Sequence, residues 1–226
     1  MSTAQRRART AGVAYLLLAV SSGLPWWYLN HSIVKSGDAA ATTANVLAHA
    51  PVLRLALVGE LAAMACYVLT ALALHALLRD AGRGIAAGMV VFAASGAAVM
   101  RAAALAEAGA LSIATDGGPA ALVYALLQLR ISGALVAGVF FGLWLLPLGY
   151  LARRSGYFPR ALGILLIVGC FSYLVDLVET LLFPDFGHML SPIVLLPAIV
   201  AELWMVGYLL TKGVRSGPAQ PNQVSA

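Results

Sequence analysis

The sequence predicts an all-α polytopic membrane protein, a six-helix transmembrane bundle with both termini cytoplasmic. Three observations predict it. First, 62% of the 226 residues are apolar before the 22 glycines are counted, and 10% are charged. A soluble domain is about 45–50% apolar with glycine included, and about 25% charged. Too few polar side chains exist here to cover a soluble core of this size. Second, six hydrophobic segments can be drawn, at 11–30, 52–78, 85–113, 120–151, 161–183 and 191–211. Each is long enough to cross about 30 Å of hydrocarbon at about 1.5 Å per residue. Third, the basic residues alternate by loop. Arg6, Arg7, Arg9, Arg79, Arg83, Arg153, Arg154, Arg160, Lys212 and Arg215 fall on one side, and Lys35 and Arg54 on the other. That bias places both termini inside, as an even number of spans requires.

Each segment has its own justification. The run 11–30 follows three arginines, as a secretory signal does. It is longer than a signal core and ends in Trp26, Trp27 and Tyr28, which read as interface anchors. A retained first helix is expected. The second, third and fourth segments exceed the hydrocarbon thickness and should tilt or project. Between the first two lies the longest loop, 31–51, on the outer side. Asp38 can cap a short helix over 39–50, which lies along the interface as a lid or as a connector. Gly84 and Gly88, and Ala134, Gly138 and Gly142, have the four-residue spacing that lets helices approach closely. The single domain spans 1–215, and 216–226 is expected to be a disordered tail.

The net charge of +5 is no nucleic-acid signal, because the basic residues sit in short clusters between hydrophobic runs. Cys66 and Cys170 each lie inside an apolar run and suggest neither disulfide nor metal. No phosphate loop, nucleophile elbow or Rossmann glycine pattern occurs, and no cofactor is expected. His31, His49 and His188 are expected outside, without ordered ligand spacing, and read as solvated or capping groups. His75 has no partner histidine at a spacing that would hold haem. Trp144 and Trp204 read as packing or lipid contacts.

The stretch Gly149-Tyr150-Leu151-Ala152-Arg153-Arg154-Ser155-Gly156-Tyr157-Phe158-Pro159-Arg160-Ala161-Leu162-Gly163 carries a resemblance. So do Gly37-Asp38-Ala39-Ala40-Ala41-Thr42 with Asn45 and His49, and the Phe183-Pro184-Asp185 turn. With the six-span layout, they resemble an uncharacterised family of bacterial integral membrane proteins, catalogued as a domain of unknown function. The resemblance covers nearly the whole chain. It implies a six-helix bacterial inner-membrane protein and carries over no catalytic residues. Read physically, Gly156 supplies a turn and Pro159 starts a helix, so the long stretch is topology and hairpin geometry.

Ionisable side chains within membrane spans are costly and are functional candidates. Seven stand out: Glu60, Arg101, Glu107, Arg130, Asp176, Glu179 and Glu202. From the helical rise, Glu60 lies roughly 12 Å below the outer edge, Arg130 roughly 13 Å and Glu202 roughly 16 Å. Arg101 and Asp176 rise about 22–24 Å from the inner edge, with Glu179 higher and Glu107 near the outer interface. All seven therefore fall in the outer half.

Glu60, Met64, Tyr67, Ala71 and His75 share one face of the second helix. Asp176, Glu179 and Thr180 share a face of the fifth, with Tyr173 one turn below. Tyr124, Gln128 and Ser132 line a side of the fourth from which Arg130 points away. Arg101 and Glu107 are about 120° apart and need not share a partner. Two arginines against five carboxylates suggest two ion pairs and one or more protonated acids.

Three functions fit these residues. One is a binding or transport protein whose outward-facing cluster takes a small polar or lipidic ligand. Its lining would be Glu60, Arg101, Glu107, Arg130, Asp176, Glu179, Glu202, Tyr67 and Tyr173, with Arg101 and Arg130 anchoring an anion. A second is an isomerase- or cyclase-type enzyme acting on a lipid or isoprenoid, with Glu60, Asp176 and Glu202 as acid–base groups. The third is an accessory subunit in which the charges only fix helix register, so that Arg101→Ala destabilises. Membrane lipids are the expected surroundings, and oligomerisation is left open.

Overall fold

Backbone polar groups within hydrocarbon must bond internally, which leaves a chain this apolar little choice but helix. The structure, a computed structural model, describes residues 2–183 and 190–215. The Trp26 and Trp27 side chains, Pro184, Asp185, His188 and the 216–226 tail lie outside the described residues. The described residues are helical with short turns and no strand. In order they form α1 (Thr3–Tyr28), a π-helical turn (Leu29–Ile33), α2 (Ala39–Ala48) and α3 (Ala50–Leu78). A 3₁₀ turn (Arg79–Ala81) leads to α4 (Arg83–Thr115), α5 (Ala120–Leu143), α6 (Leu145–Ser155), α7 (Arg160–Leu182) and α8 (Leu196–Thr211).

Four stretches are long and apolar enough to cross a membrane: Ala50–Ala81, Arg83–Thr115, Ala120–Ser155 and Arg160–Leu182. Leu196–Thr211 is apolar but short, although residues 190–194 before it are also helical. α1 is long, but serines, glycines, a proline and aromatics dilute its apolar run. The apolar surface faces outward: Leu55 is 73% exposed and Leu105 is 74% exposed. A soluble protein could not tolerate so many such residues, whereas lipid solvates them.

The expected fourth segment breaks in two. Pro147 has no N–H for the Leu143 carbonyl and its ring crowds that turn, so α5 gives way to α6 at Trp144. The short helix expected after Asp38 forms. Asp38 accepts a hydrogen bond of 2.8 Å from the Ala41 N–H, and α2 ends at Ala48.

The chain divides into two compact units. Unit 1 comprises Met1–Val13, Ala71–Val90 and Gly142–Ala226, and unit 2 comprises Ala14–Thr70 and Val91–Phe141. In unit 1, α7 packs against both α6 and α8. A Cβ on Gly149 would sit 2.6 Å from the Gly163 carbonyl oxygen, and one on Gly163 would sit 2.8 Å from the Gly149 oxygen. These two glycines let α6 and α7 touch backbone to backbone. Gly156, at φ 71°, closes the turn between them in the left-handed conformation expected of a glycine there. Trp144, Leu148 and Phe158 are buried around this hairpin, while Trp204 stays exposed.

The start of α1 and the residues just after α8 meet within unit 1. Gln5 donates from Nε2 to the Lys212 carbonyl at 2.9 Å. Its Oε1 accepts from the Val214 N–H at 3.1 Å. The Arg215 N–H donates to the Tyr157 carbonyl at 3.0 Å, and Arg7 donates to the Ala76 carbonyl at 3.1 Å. All ten basic residues assigned to the inner side belong to this unit.

The small-residue spacings noted in the sequence have unequal fates. Gly142 sits 2.7 Å, at its Cβ position, from the Cβ of Tyr173, whereas Gly84 and Gly88 have nothing within 4 Å. Gly149→Ala should therefore lower the thermal midpoint in detergent, at a cost of about 1–3 kcal/mol. Gly84→Ala should leave it unchanged or raise it. Equal effects would remove the backbone contact as a constraint.

Candidate functional site: an arginine held between two glutamates

Unit 2 assembles its polar centre from three helices. Along α3, Glu60, Ala63, Met64, Tyr67 and Thr70 form the buried face, with spacings of three and four that put them on one side of the helix. On α4 the buried face is Met100, Ala103, Ala104, Glu107, Ala110 and Leu111. On α5 it is Val123, Leu127 and Arg130. Small residues set the approach. A Cβ on Gly133 would lie 2.6 Å from the Cβ of Ala103, so α4 and α5 nearly touch one turn from the charges.

Arg130 is 1% exposed and lies between two buried carboxylates. Its Nη2 donates to Glu60 Oε2 at 2.6 Å, and its Nε donates to Glu107 Oε2 at 3.1 Å. Nη1 lies 4.0 Å from the Met100 sulfur. The second oxygen of Glu60, Oε1, is buried and accepts no hydrogen bond from the described residues. One guanidinium facing two carboxyls leaves a formal charge of −1 when both are ionised. A charge left over in an apolar interior is costly, so the cluster has room for one proton or one positive group.

The stretch from the π-helical turn through α2 closes over this centre. Leu29, Ile33, Val46, Ala50 and Leu53 pack with Ala110, Leu111, Ala114, Val123 and Leu127 in one apolar cluster. Ala110 and Leu127 are three residues from Glu107 and Arg130, so the cluster lies one turn beyond the ion pairs. Polar ties fix the hairpin. Asn45 donates from Nδ2 to the Ile33 carbonyl at 3.0 Å. The Lys35 N–H donates to Thr42 Oγ1 at 3.0 Å. The Gly37 N–H donates to the Tyr124 hydroxyl oxygen at 2.9 Å. The 31–51 stretch is thus a packed cap rather than a loose connector. His49 contacts the Asn45 carbonyl through Nδ1 at 2.9 Å and meets Tyr28 edge-on, the capping role expected of it. Beside the cap, an open cleft of about 320 Å³ is lined by Arg54, Leu57, Ala108, Leu111, Ser112 and Thr115. Leu57 and Ala108 bring its wall to within a turn of Glu60 and Glu107.

The other candidates are placed differently. In unit 1, Ser191 donates a short hydrogen bond to Asp176 Oδ1. Tyr173 lies near Glu202 and Asp176. Glu179 is partly buried, with no hydrogen bond to its Oε1 among the described residues. Arg101 is exposed, and no ion pair is found for it among the described residues. The separation of Arg101 from Glu107 by helical angle holds, as does that of Arg130 from the Tyr124–Gln128–Ser132 stripe. Tyr67 is buried and meets Phe141 edge-on at 5.3 Å.

Two participants escaped the sequence reading. Met100 reads as core, although its seven-residue offset from Glu107 puts it on the same face, and Ser191 serves Asp176. Tyr124, noted on the fourth segment, tethers the cap.

The family described as Domain of unknown function (DUF4386) matches residues 10–213. The chain belongs to this family. No curated protein and no solved structure matches it. The match takes in the helices that supply the Arg130 cluster and the Gly149–Gly163 hairpin alike.

The accessory reading made Arg101→Ala the informative change, but the geometry moves that test to Arg130. Arg130→Ala strands two buried carboxylates and should cost about 3–5 kcal/mol. Arg101→Ala should leave the midpoint unchanged. Thermal unfolding in detergent compares them, and an unharmed Arg130→Ala protein would show that the buried pairs do not hold the helices.

Proposed function

We propose that this protein is a multi-pass binding or transport protein of the inner membrane, with its ligand taken at Glu60, Glu107 and Arg130. The observation that carries this reading is the unbonded Oε1 of Glu60. A buried acceptor without a donor costs about 1–3 kcal/mol, more when charged. Because Arg130 is already engaged by two carboxylates, the cluster suits a hydrogen-bond donor, a proton or a small cationic group. That differs from the anion anchoring first expected of the arginine. The cleft beside the cap, between α3 and α4, comes within a turn of Glu60 and Glu107.

The layout within this proposal has six spans, with α1 and the helix ending at Thr211 as the first and last. Both termini are cytoplasmic. The Gln5 contacts with Lys212 and Val214 support a shared side for the two ends. The ten basic residues around them support the cytoplasmic assignment.

Two experiments test the proposal. Native mass spectrometry in nanodiscs would compare the wild type with Glu60→Gln, which keeps the volume and an acceptor for Arg130. A discrete small adduct retained by the wild type and lost from a folded variant is expected. Retention by both, or by neither, overturns the site. An adduct recovered chemically altered would favour acid–base catalysis over transport. For topology, single cysteines are placed in a background carrying Cys66→Ser and Cys170→Ser. Asp116→Cys should react with an impermeant maleimide added to spheroplasts, and Ser155→Cys should be protected. The opposite pattern inverts the layout.

A further inference from the structure

The hairpin between α6 and α7 holds a second concentration of charge, in unit 1 and independent of the Glu60–Arg130 cluster. A cleft of about 470 Å³ is lined by Tyr150, Arg153, Arg154 and Arg160. Three of its four lining residues are arginines, and none of them forms an ion pair among the described residues. Chance clustering of solvated arginines would leave their side chains unconstrained, but two of these are positioned. Arg153 lays its aliphatic stem across Gly163, where a Cβ would sit 2.4 Å from its Cγ. Arg154 donates from Nη1 to the Tyr150 hydroxyl at 3.0 Å. The third, Arg160, is the first residue of α7.

That helix begins after Pro159 with no side chain capping its first turn. The N–H groups of Arg160 and Ala161 therefore open toward the same end of the hairpin, where the helix dipole favours negative charge. The cleft sits where α6 ends at Ser155 and α7 starts at Arg160, the level at which a chain crossing the bilayer meets lipid headgroups. Guanidinium groups match phosphate oxygens in bidentate fashion. Basic pockets at the ends of membrane helices can take anionic headgroups.

We propose that Tyr150, Arg153, Arg154 and Arg160 form a binding site for the phosphate of an anionic phospholipid headgroup. Arg154 and Arg160 grip the phosphate, Arg153 is fixed over Gly163 as the wall, and the first turn of α7 supplies backbone donors. The site holds the α6–α7 hairpin at the headgroup layer. Its occupant is a lipid rather than a free phosphate, because the cleft is open at the membrane surface and adjoins the exposed apolar flank of α7, including Ile164 and Val168.

The test titrates the purified full-length protein in a zwitterionic detergent with phosphatidylglycerol, cardiolipin, phosphatidylcholine or inorganic phosphate. Native mass spectrometry counts the retained molecules. Phosphatidylglycerol or cardiolipin should bind at least about tenfold more tightly than phosphatidylcholine. Arg154→Gln with Arg160→Gln should remove that preference, reducing affinity by about tenfold or more. The Arg154→Lys, Arg160→Lys protein should keep part of the binding, and its unfolding midpoint controls for folding. Undiminished binding by a folded glutamine variant overturns the proposal, as does equal affinity for phosphatidylcholine. Displacement of the lipid by millimolar inorganic phosphate would overturn the lipid assignment and leave a soluble-anion site.

Discussion

The Arg130 guanidinium engages Glu60 of α3 and Glu107 of α4 at once, so three helices are tied at one level of unit 2. Hydrophobic contact alone cannot fix that level. Lipid tails solvate leucine and valine as well as a neighbouring helix does, so helices are registered by close small-residue contacts and by polar bonds. Ala103 against Gly133 brings α4 and α5 close, and the two ion pairs choose which turns face each other. The cap then rests on the surface those turns present, with Val46 and Leu53 filling the space beyond Glu107 and Arg130.

The same bond makes the unit's polar centre chemically incomplete. The guanidinium remains charged, and it faces one carboxyl more than it needs to balance. In water such an imbalance is trivial. Beneath the cap, it makes the energy of the three-helix junction depend on what neutralises Glu60 and Glu107. A site of this kind can couple occupancy to helix position, because the group that adds or removes positive charge also changes the tie that sets register.

Much of the architecture was legible in the chain, and the gaps have physical causes. Helix, membrane burial and the Asp38 cap follow from local chemistry that a sequence displays directly. The break at Trp144 was written in Pro147, but the long apolar run around it masked the signal. The seven ionisable residues could be found because each is conspicuous within an apolar run. Their pairing could not, since facing angles on one helix do not say which neighbour it meets. Arg101 and Arg130 look equivalent in the sequence, yet only Arg130 lies on the turn that the Gly133–Ala103 contact brings inward. Likewise Gly84 and Gly88 have the spacing of a packing motif without the contact. Gly149 and Gly163, fourteen residues apart on two helices, have the contact without the spacing.

The Gln5 clasp carries a consequence for the order in which the chain acquires its structure. Every residue of unit 2 has been synthesised by Phe141. Unit 1 draws on the first residues and the last, and Gln5 is separated by 207 residues from Lys212, whose carbonyl it bonds. Contacts so distant in sequence carry a large loop-closure cost and form late. The Arg130 junction can therefore be complete while the ribosome is still delivering α6 to α8. Gln5 can meet its partner only after the last described helix, α8, has been made, because Lys212 follows it in the chain.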